Sequence, residues 1–224
     1  NTDALCDRLV PCYGRCMSKF VLLLGGTVHV TDRLRHLIAG ARVLAADGGI
    51  AHAQALGVEP ELWLGDFDST SPELAERYAH VPRSVFPAAK DMTDGELALN
   101  EAYRLGATEV ILCGAFGGER TDHTLLHLTM ATRHAAEGRK IILSSGSEEA
   151  HPLVAGDYAF DFADGTVFSI VAFTSLRGLF IHGARWPLEN MELSFGSSLT
   201  VSNAVCGNLH VSLRSGNAVL IAAP

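Results

Sequence analysis

Hydrophobic and polar positions follow two rhythms along this chain. Up to about residue 145, continuous apolar runs alternate with segments of helical period. FVLLLGG (20–26), ARVLAAD (41–47), ELWLGDFD (61–68), TEVILCG (108–114) and RKIILSSG (139–146) read as buried strands, with SVFP (84–87) as a short extra one. Between them, TDRLRHLIAG has Thr31 as N-cap and Gly40 as terminator. GGIAHAQALG forms a short helix closed by Gly57, and Ser71 with Pro72 opens another, because proline at the first helical position loses no needed donor. TDGELALNEAYRLG has the capping-box spacing in Thr93 and Glu96 and ends at Gly106, and TDHTLLHLTMATRHAAEG is a longer helix. Such alternation predicts a mostly parallel sheet covered by helices.

The rhythm changes after SSGSEEAHP. TVFSIVAF, GLFIHGA, LTVSNAV, NLHVSLR and NAVLIAA follow one another with turn residues between them and no strong helix signal. That predicts an antiparallel β-sandwich or barrel. The fold class expected is therefore an α/β lobe with a mostly parallel sheet over 17–147, then an all-β sandwich-like lobe over 148–224, with the boundary near 146–151. Residues 1–16 show no clear periodicity and read as an N-terminal extension, expected to be disordered, ahead of a domain that starts near Met17.

Bulk properties narrow the setting. The net charge of −8 argues against a nucleic-acid backbone as partner, which calls for a basic face. No apolar stretch reaches the length of a membrane span, and no basic-then-apolar leader is evident. Cys6, Cys12, Cys16, Cys113 and Cys206 are odd in number and irregular in spacing, so they do not read as a disulfide framework; a reducing, cytoplasmic setting is expected. Cys6, Cys12 and Cys16 lack a CxxC pair and a marked fourth ligand, which disfavours zinc.

The chemistry lies in the acids. Asp47 and Asp66 directly end apolar runs, Asp68 follows in GDFDS, Asp91 and Asp94 in KDMTDGE, and Asp122 in GAFGGERTDH. If the runs are parallel strands, these carboxylates gather at one sheet edge, where open α/β sheets bind ligands. Clustered carboxylates tend to reprotonate unless a cation joins them, and hard oxygen ligands suit Mg²⁺ that also touches phosphates. Asp66 and Asp68, two apart in an extended segment, can face one cation, with Gly65 permitting a close turn; a solvated loop of Asx turns is the plainer reading. Asp94 and Glu96 also suit the first turn of a helix. Lys90 can neutralise a phosphate or simply be a surface lysine.

The glycines of GAFGGERTDH, Gly117 and Gly118 among them, allow backbone amides to approach an anion, and Arg120 adds a planar cation. This is neither GxxxxGK[ST] nor GxGxxG. His123 and His127 lie one helical turn apart without the glutamate of HExxH, and read as a packed or exposed pair; no GxSxG elbow is present. Trp186 is either core or a flat surface for a ring-shaped ligand, and Ser202 and Asn203 follow a strand as turn residues or as groups that orient a polar ring edge.

Taken in order, DGG, GDFDS, KDMTDGE, GAFGGERTDH and the later SN resemble the thiamine pyrophosphokinase family, from about residue 20 to the C-terminus. The resemblance implies an α/β lobe that binds ATP and Mg²⁺, a β-sandwich that helps bind thiamine, and a homodimer with thiamine between the α/β lobe of one subunit and the sandwich of the other. Carried over by motif, Asp47, Asp66, Asp68, Asp91 and Asp94 form the metal and phosphate site, with Asp66, Asp68, Asp91 and Asp94 as metal ligands and catalytic acids. Lys90, Gly117, Gly118 and Arg120 contact the nucleotide phosphates, Asp122 lies near the thiamine ring, and Trp186, Ser202 and Asn203 match the thiamine pocket. The implied reaction moves a diphosphoryl group from ATP to the thiamine hydroxyl and releases AMP, with Asp91 or Asp94 as proton acceptor. A diphosphokinase of another alcohol, such as a hydroxymethylpterin, and a non-catalytic thiamine or nucleotide binder are the alternatives; the β-rich tail separates the first and the size of the acid set weighs against the second.

Overall fold

The computed structural model describes residues 18–67, 70–86, 91–118 and 120–224. The expected N-terminal extension with Cys6, Cys12 and Cys16, and the predicted site residues Asp68 and Lys90, lie outside them.

Six parallel strands form the first part: β1 (Lys19–Leu23), β2 (Arg42–Ala46), β3 (Leu62–Gly65), β4 (Arg83–Val85), β5 (Glu109–Cys113) and β6 (Lys140–Ser144), in the order β4-β3-β2-β1-β5-β6. The central strands β1, β2, β3 and β5 are apolar after their first residues because both faces are covered, whereas the edge strand β4 (RSV) has no buried residue. Phe20, Leu22, Leu44, Leu64, Val110 and Leu112 point to one face and pack with Ala98, Leu99 and Ala102 of α4 (Asp94–Arg104) and Met130 and Ala131 of α5 (Thr121–Ala136). Val21, Leu23, Val43, Ala45, Trp63 and Ile111 point to the other, against Leu34 and Ile38 of the first helix, α1 (Asp32–Ile38), and against Leu56 of α2 (Ala53–Leu56). Each such Leu or Val contributes about 1.5–3 kcal/mol by leaving water.

The helix ends follow the expected chemistry with one exception. Thr31, Ser71 and Thr93 each accept a hydrogen bond from the backbone N–H three residues on, at the starts of α1, α3 (Pro72–Arg77) and α4. Glu96 does not close the reciprocal half of a capping box; its carboxylate pairs with Arg133 of α5 at 2.9 Å. The segment after β2 begins as a 3₁₀ helix, Asp47–His52, before α2.

The second part is all-β, with β7 (Glu149–Leu153), β8 (Gly156–Phe160), β9 (Val167–Ala172), β10 (Leu176–Ala184), β11 (Leu188–Leu193), β12 (Asn203–Ser215) and β13 (Ala218–Ala223). Its first layer is an extension of the parallel sheet: β7 runs antiparallel beside β6, and β13 and β9 follow. The long β12 pairs with β9 through Asn203 and Ala204, then crosses to a second layer where it lies between β10 and β8. Phe168, Ile170, Leu179, Ile181, Leu209, Val211 and Leu220 fill the space between the layers.

An ion pair between a part-exposed arginine and a buried glutamate ties the two parts together. Arg33 of α1 donates to both carboxylate oxygens of Glu149 on β7, at 2.6 and 3.0 Å, and to the Asp161 carbonyl at 2.9 Å, with its guanidinium over the Phe162 ring. The Glu149 side chain is only 4% exposed. Burial pushes its carboxyl up, but hydrogen bonds from His151 and Arg33 outweigh that and hold it below the usual range.

Candidate active site

The carboxyl ends of the parallel strands hold most of the predicted residues. Strand order reverses at β1, whose neighbours are β2 and β5, and the crevice beyond such a reversal is where open α/β sheets place ligands. Here the loops after β1 and β5 cross. Gly26 N–H donates to the Gly114 carbonyl at 2.9 Å and Thr27 N–H to the Phe116 carbonyl at 2.8 Å. A Cβ on Gly26 would overlap both of those carbonyl oxygens, so the crossing requires glycine.

Beside Gly25 lies a cavity of about 470 Å³ lined by Asp47, Asp66 and Asp94, with Thr93, His123 and His127. Asp47 follows β2, Asp66 follows β3, and Asp94 opens α4 beyond its Thr93 cap. Asp47 is held in the left-handed region at φ 44°, sparsely populated for a residue with a side chain. The surroundings fix it there: the Trp63 indole N–H donates to its carbonyl at 2.8 Å, and Gly65 leaves room where a Cβ would press on its Cα. His52 sits behind the β1 loop with Nε2 2.8 Å from the Gly26 carbonyl; burial lowers its pKa, so a neutral ring donates to that oxygen.

Adjoining it, with Gly25, His123 and His127 in common, is a smaller cavity of about 150 Å³ lined also by Gly26, Gly114, Gly117, Gly118 and Arg120. Gly117 and Gly118 both have positive φ, turning their backbone around this space. Arg120 forms a two-point pair with Asp122, at 2.9 and 2.7 Å, on the surface. That pair holds the Asp122 carboxyl well below the usual carboxylate range and raises the guanidinium.

The sequence-predicted residues therefore divide into groups. Asp47, Asp66 and Asp94 share one cavity, and Gly117, Gly118 and Arg120 share its neighbour. Asp91 is exposed and lines neither; Asp122 lines neither and is taken up by Arg120. Trp186, Ser202 and Asn203 come together, but in the β-rich part and away from both cavities. Asn203 accepts from Trp186 N–H at 3.1 Å and donates to the Trp186 carbonyl at 2.8 Å, so its amide fixes the tryptophan backbone. The Trp186 ring, 54% exposed, stands in the turn between β10 and β11 with Arg185 over it. Ser202, at φ 60°, donates its N–H to Ser169. Missed in the sequence were Gly25 and Gly26, whose signal was the GG closing the first apolar run, and His127, which had only its spacing from His123.

Among the described residues, no set of three His, Cys, Asp or Glu side chains is gathered tightly enough to hold a metal by itself. No described helix is long and apolar enough to cross a membrane.

Comparison with known proteins fits this geometry. The family model for the thiamin pyrophosphokinase catalytic domain matches residues 34–143, and that for the thiamin pyrophosphokinase vitamin B1 binding domain matches residues 158–218. The two matches define a two-lobed transferase, a kinase-type catalytic part followed by a vitamin-binding part. Thiamine pyrophosphokinase of Bacillus subtilis is 27% identical over 164 residues, 71% of this chain and 76% of that protein. The crystal structure of the Bacillus subtilis enzyme superposes with a TM-score of 0.81 at 24% identity, covering 92% of this chain and 99% of the other. That of thiamin pyrophosphokinase from Geobacillus thermodenitrificans gives 0.77 at 25% identity, covering 93% and 98%. This chain belongs to the thiamin pyrophosphokinase family, a family of enzymes.

Proposed function

We propose that this protein transfers the diphosphoryl group of ATP to the primary hydroxyl of thiamine, giving thiamine diphosphate and AMP. The observation that carries the reading is the shared cavity of Asp47, Asp66 and Asp94, set beside a glycine-lined cavity in the region matched by the catalytic-domain model. The vitamin B1 match over 158–218 disfavours a hydroxymethylpterin as the acceptor.

The donor set fits Mg²⁺. That ion keeps several waters and needs only one or two protein carboxylates when phosphates complete its shell, so a tight three-residue cage is not required. Asp66 and Asp94, with Asp68 and Asp91 as further candidates, would hold it. When bound, it neutralises charge on the phosphates and on the leaving group. The chain's own residues do the rest. The turned backbone at Gly117 and Gly118 offers N–H groups to phosphate oxygens, and Arg120 exchanges Asp122 for a phosphate of the nucleotide. The thiamine oxygen bonds to the β-phosphorus as the bond from that phosphorus to the α–β bridging oxygen breaks, and AMP leaves with the electron pair. Asp94, which lines the cavity, is better placed than the exposed Asp91 to accept the hydroxyl proton. The acidic cavity also attracts cationic thiamine.

A homodimer completes the proposal. Trp186, Val167, Val171, Leu199 and Val201 leave apolar surface exposed around β9 and the 195–202 turns, as a partner-facing surface does. A second copy would bring its Trp186, Ser202 region to the acidic cavity. The free thiols of Cys113 and Cys206 are compatible with a reducing, cytoplasmic setting. Purified protein with Mg-ATP and thiamine should yield AMP and thiamine diphosphate; ADP as the nucleotide product, or no product, overturns the reading.

A further inference from the structure

His127 lies on the cavity-facing side of α5, where the 470 Å³ and 150 Å³ cavities meet, and it lines both. The ring is buried, with Nδ1 3.2 Å from the Ala115 carbonyl. A carbonyl oxygen can only accept, so Nδ1 carries the proton in that bond, and the neutral ring leaves Nε2 with a bare lone pair. Burial lowers the pKa of the ring, which favours this neutral form. The Nε2 atom faces the start of α4, since a Cβ on Gly95 would come within 3.4 Å of it. Gly95 thus leaves the space that Nε2 faces. Among the described residues, the hydrogen bond of the ring is the one at Nδ1. An acceptor at a cavity wall repels phosphate oxygens and attracts N–H or O–H groups.

We propose that His127 Nε2 is a substrate-binding hydrogen-bond acceptor that takes an uncharged N–H or O–H donor of the nucleotide or of the acceptor alcohol at the junction of the two cavities. The inference rests on the diphosphotransferase reading. The donor chemistry has two sources: amino and ribose hydroxyl groups of ATP, and the aminopyrimidine of thiamine. His127 would separate the part of the site that binds phosphate from the part that reads a neutral polar edge. The perpendicular His123 ring, 6.1 Å away, walls the same junction.

Two measurements test it. In the first, KM for ATP and for thiamine are measured with wild type and with His127→Phe, which keeps a ring and removes the acceptor. The expected result is a rise of about tenfold in KM for one substrate, with the other KM and kcat within about twofold. A substrate analogue without the matching donor (a purine triphosphate lacking the 6-amino group, 2′-deoxy-ATP, 3′-deoxy-ATP, or a thiamine lacking the 4′-amino group) should then bind wild type and variant alike. Both KM values unchanged, both raised together, or a difference that survives every analogue would each sink the proposal. The second measurement needs no variant. In ¹⁵N-histidine-labelled protein, the unprotonated Nε2 signal of His127 should move upfield on saturation with ATP or with thiamine and stay put with inorganic pyrophosphate. A signal unmoved by both substrates, or moved by pyrophosphate alone, refutes it. A wild-type protein that makes no AMP removes the proposed reaction instead, and the ¹⁵N titration still reads His127 by itself.

Discussion

Replacing Glu149 by glutamine should destabilise the protein without touching the cavities. The side chain is almost fully enclosed and receives both arms of Arg33 and a 3.3 Å contact from His151 Nε2. Breaking a fully buried pair costs about 3–5 kcal/mol because the surviving charge is stranded. Arg33, however, is 39% exposed and retains its bond to the Asp161 carbonyl, so it can recover water. The cost should therefore fall to about 1.5–3 kcal/mol, the range of hydrogen bonds to a charged group. For a chain of this size each kcal/mol lowers Tm by about 2–4 °C, giving a fall of about 3–12 °C in a thermal melt followed by circular dichroism. The pH dependence has a definite sign. The Glu149 pKa is depressed in the folded state, so its contribution is present above the unfolded carboxyl value and is lost as pH falls through the folded one. The gap between wild type and Glu149→Gln should therefore be full at neutral pH and shrink in acid. A Tm change under about 1 °C at pH 7, or a gap that widens on acidification, would refute the reasoning. Turnover well below the melting point should stay within about twofold, since Glu149 lines neither cavity.

Asp66→Ala should lower kcat at least about a hundredfold in the AMP-release assay while the melting curve stays within a few degrees, because the residue lies past the end of β3 and lines the cavity. Trp186→Ala should raise KM for thiamine several-fold with little effect on KM for ATP; its exposed ring predicts a Tm shift of at most about 2 °C. Burial pushes the Cys113 thiol up to about 12, so at pH 8 a thiol-alkylating reagent followed by peptide mass mapping should modify exposed Cys206 and spare Cys113 until the protein is unfolded.

The sequence carried the elements and the acid site unevenly. Local chemistry was readable: Thr31, Ser71 and Thr93 cap where their spacing says they should, and apolar runs ending in acids put Asp47 and Asp66 at one sheet edge. What depends on distant partners was not. Glu96 left its capping box because Arg133, on another helix, offered a full charge. The β-rich part looked separable because its rhythm changes, yet β7 turns back at Ser144–Glu149 and keeps pairing with β6, a register that no local pattern encodes. Asn203 read equally as a turn residue or as a ligand-orienting amide; its bonds to the Trp186 backbone exist only in the fold. The strained φ of Asp47 and the open nitrogen of His127 likewise exist only once Trp63, Gly65, Ala115 and Gly95 have been brought around them.

The unbroken ladder from β4 through β6 to β9 governs how this molecule can be divided. Cutting between Ser145 and Glu149 would strip the partner from β6 on one fragment and from β7 on the other, leaving two raw strand edges with unpaired amides and carbonyls, each flanked by core side chains. Such fragments are templates for sticking to one another. Expressed apart, the halves should precipitate or re-pair; mixed during refolding, they should reassemble through the missing rung.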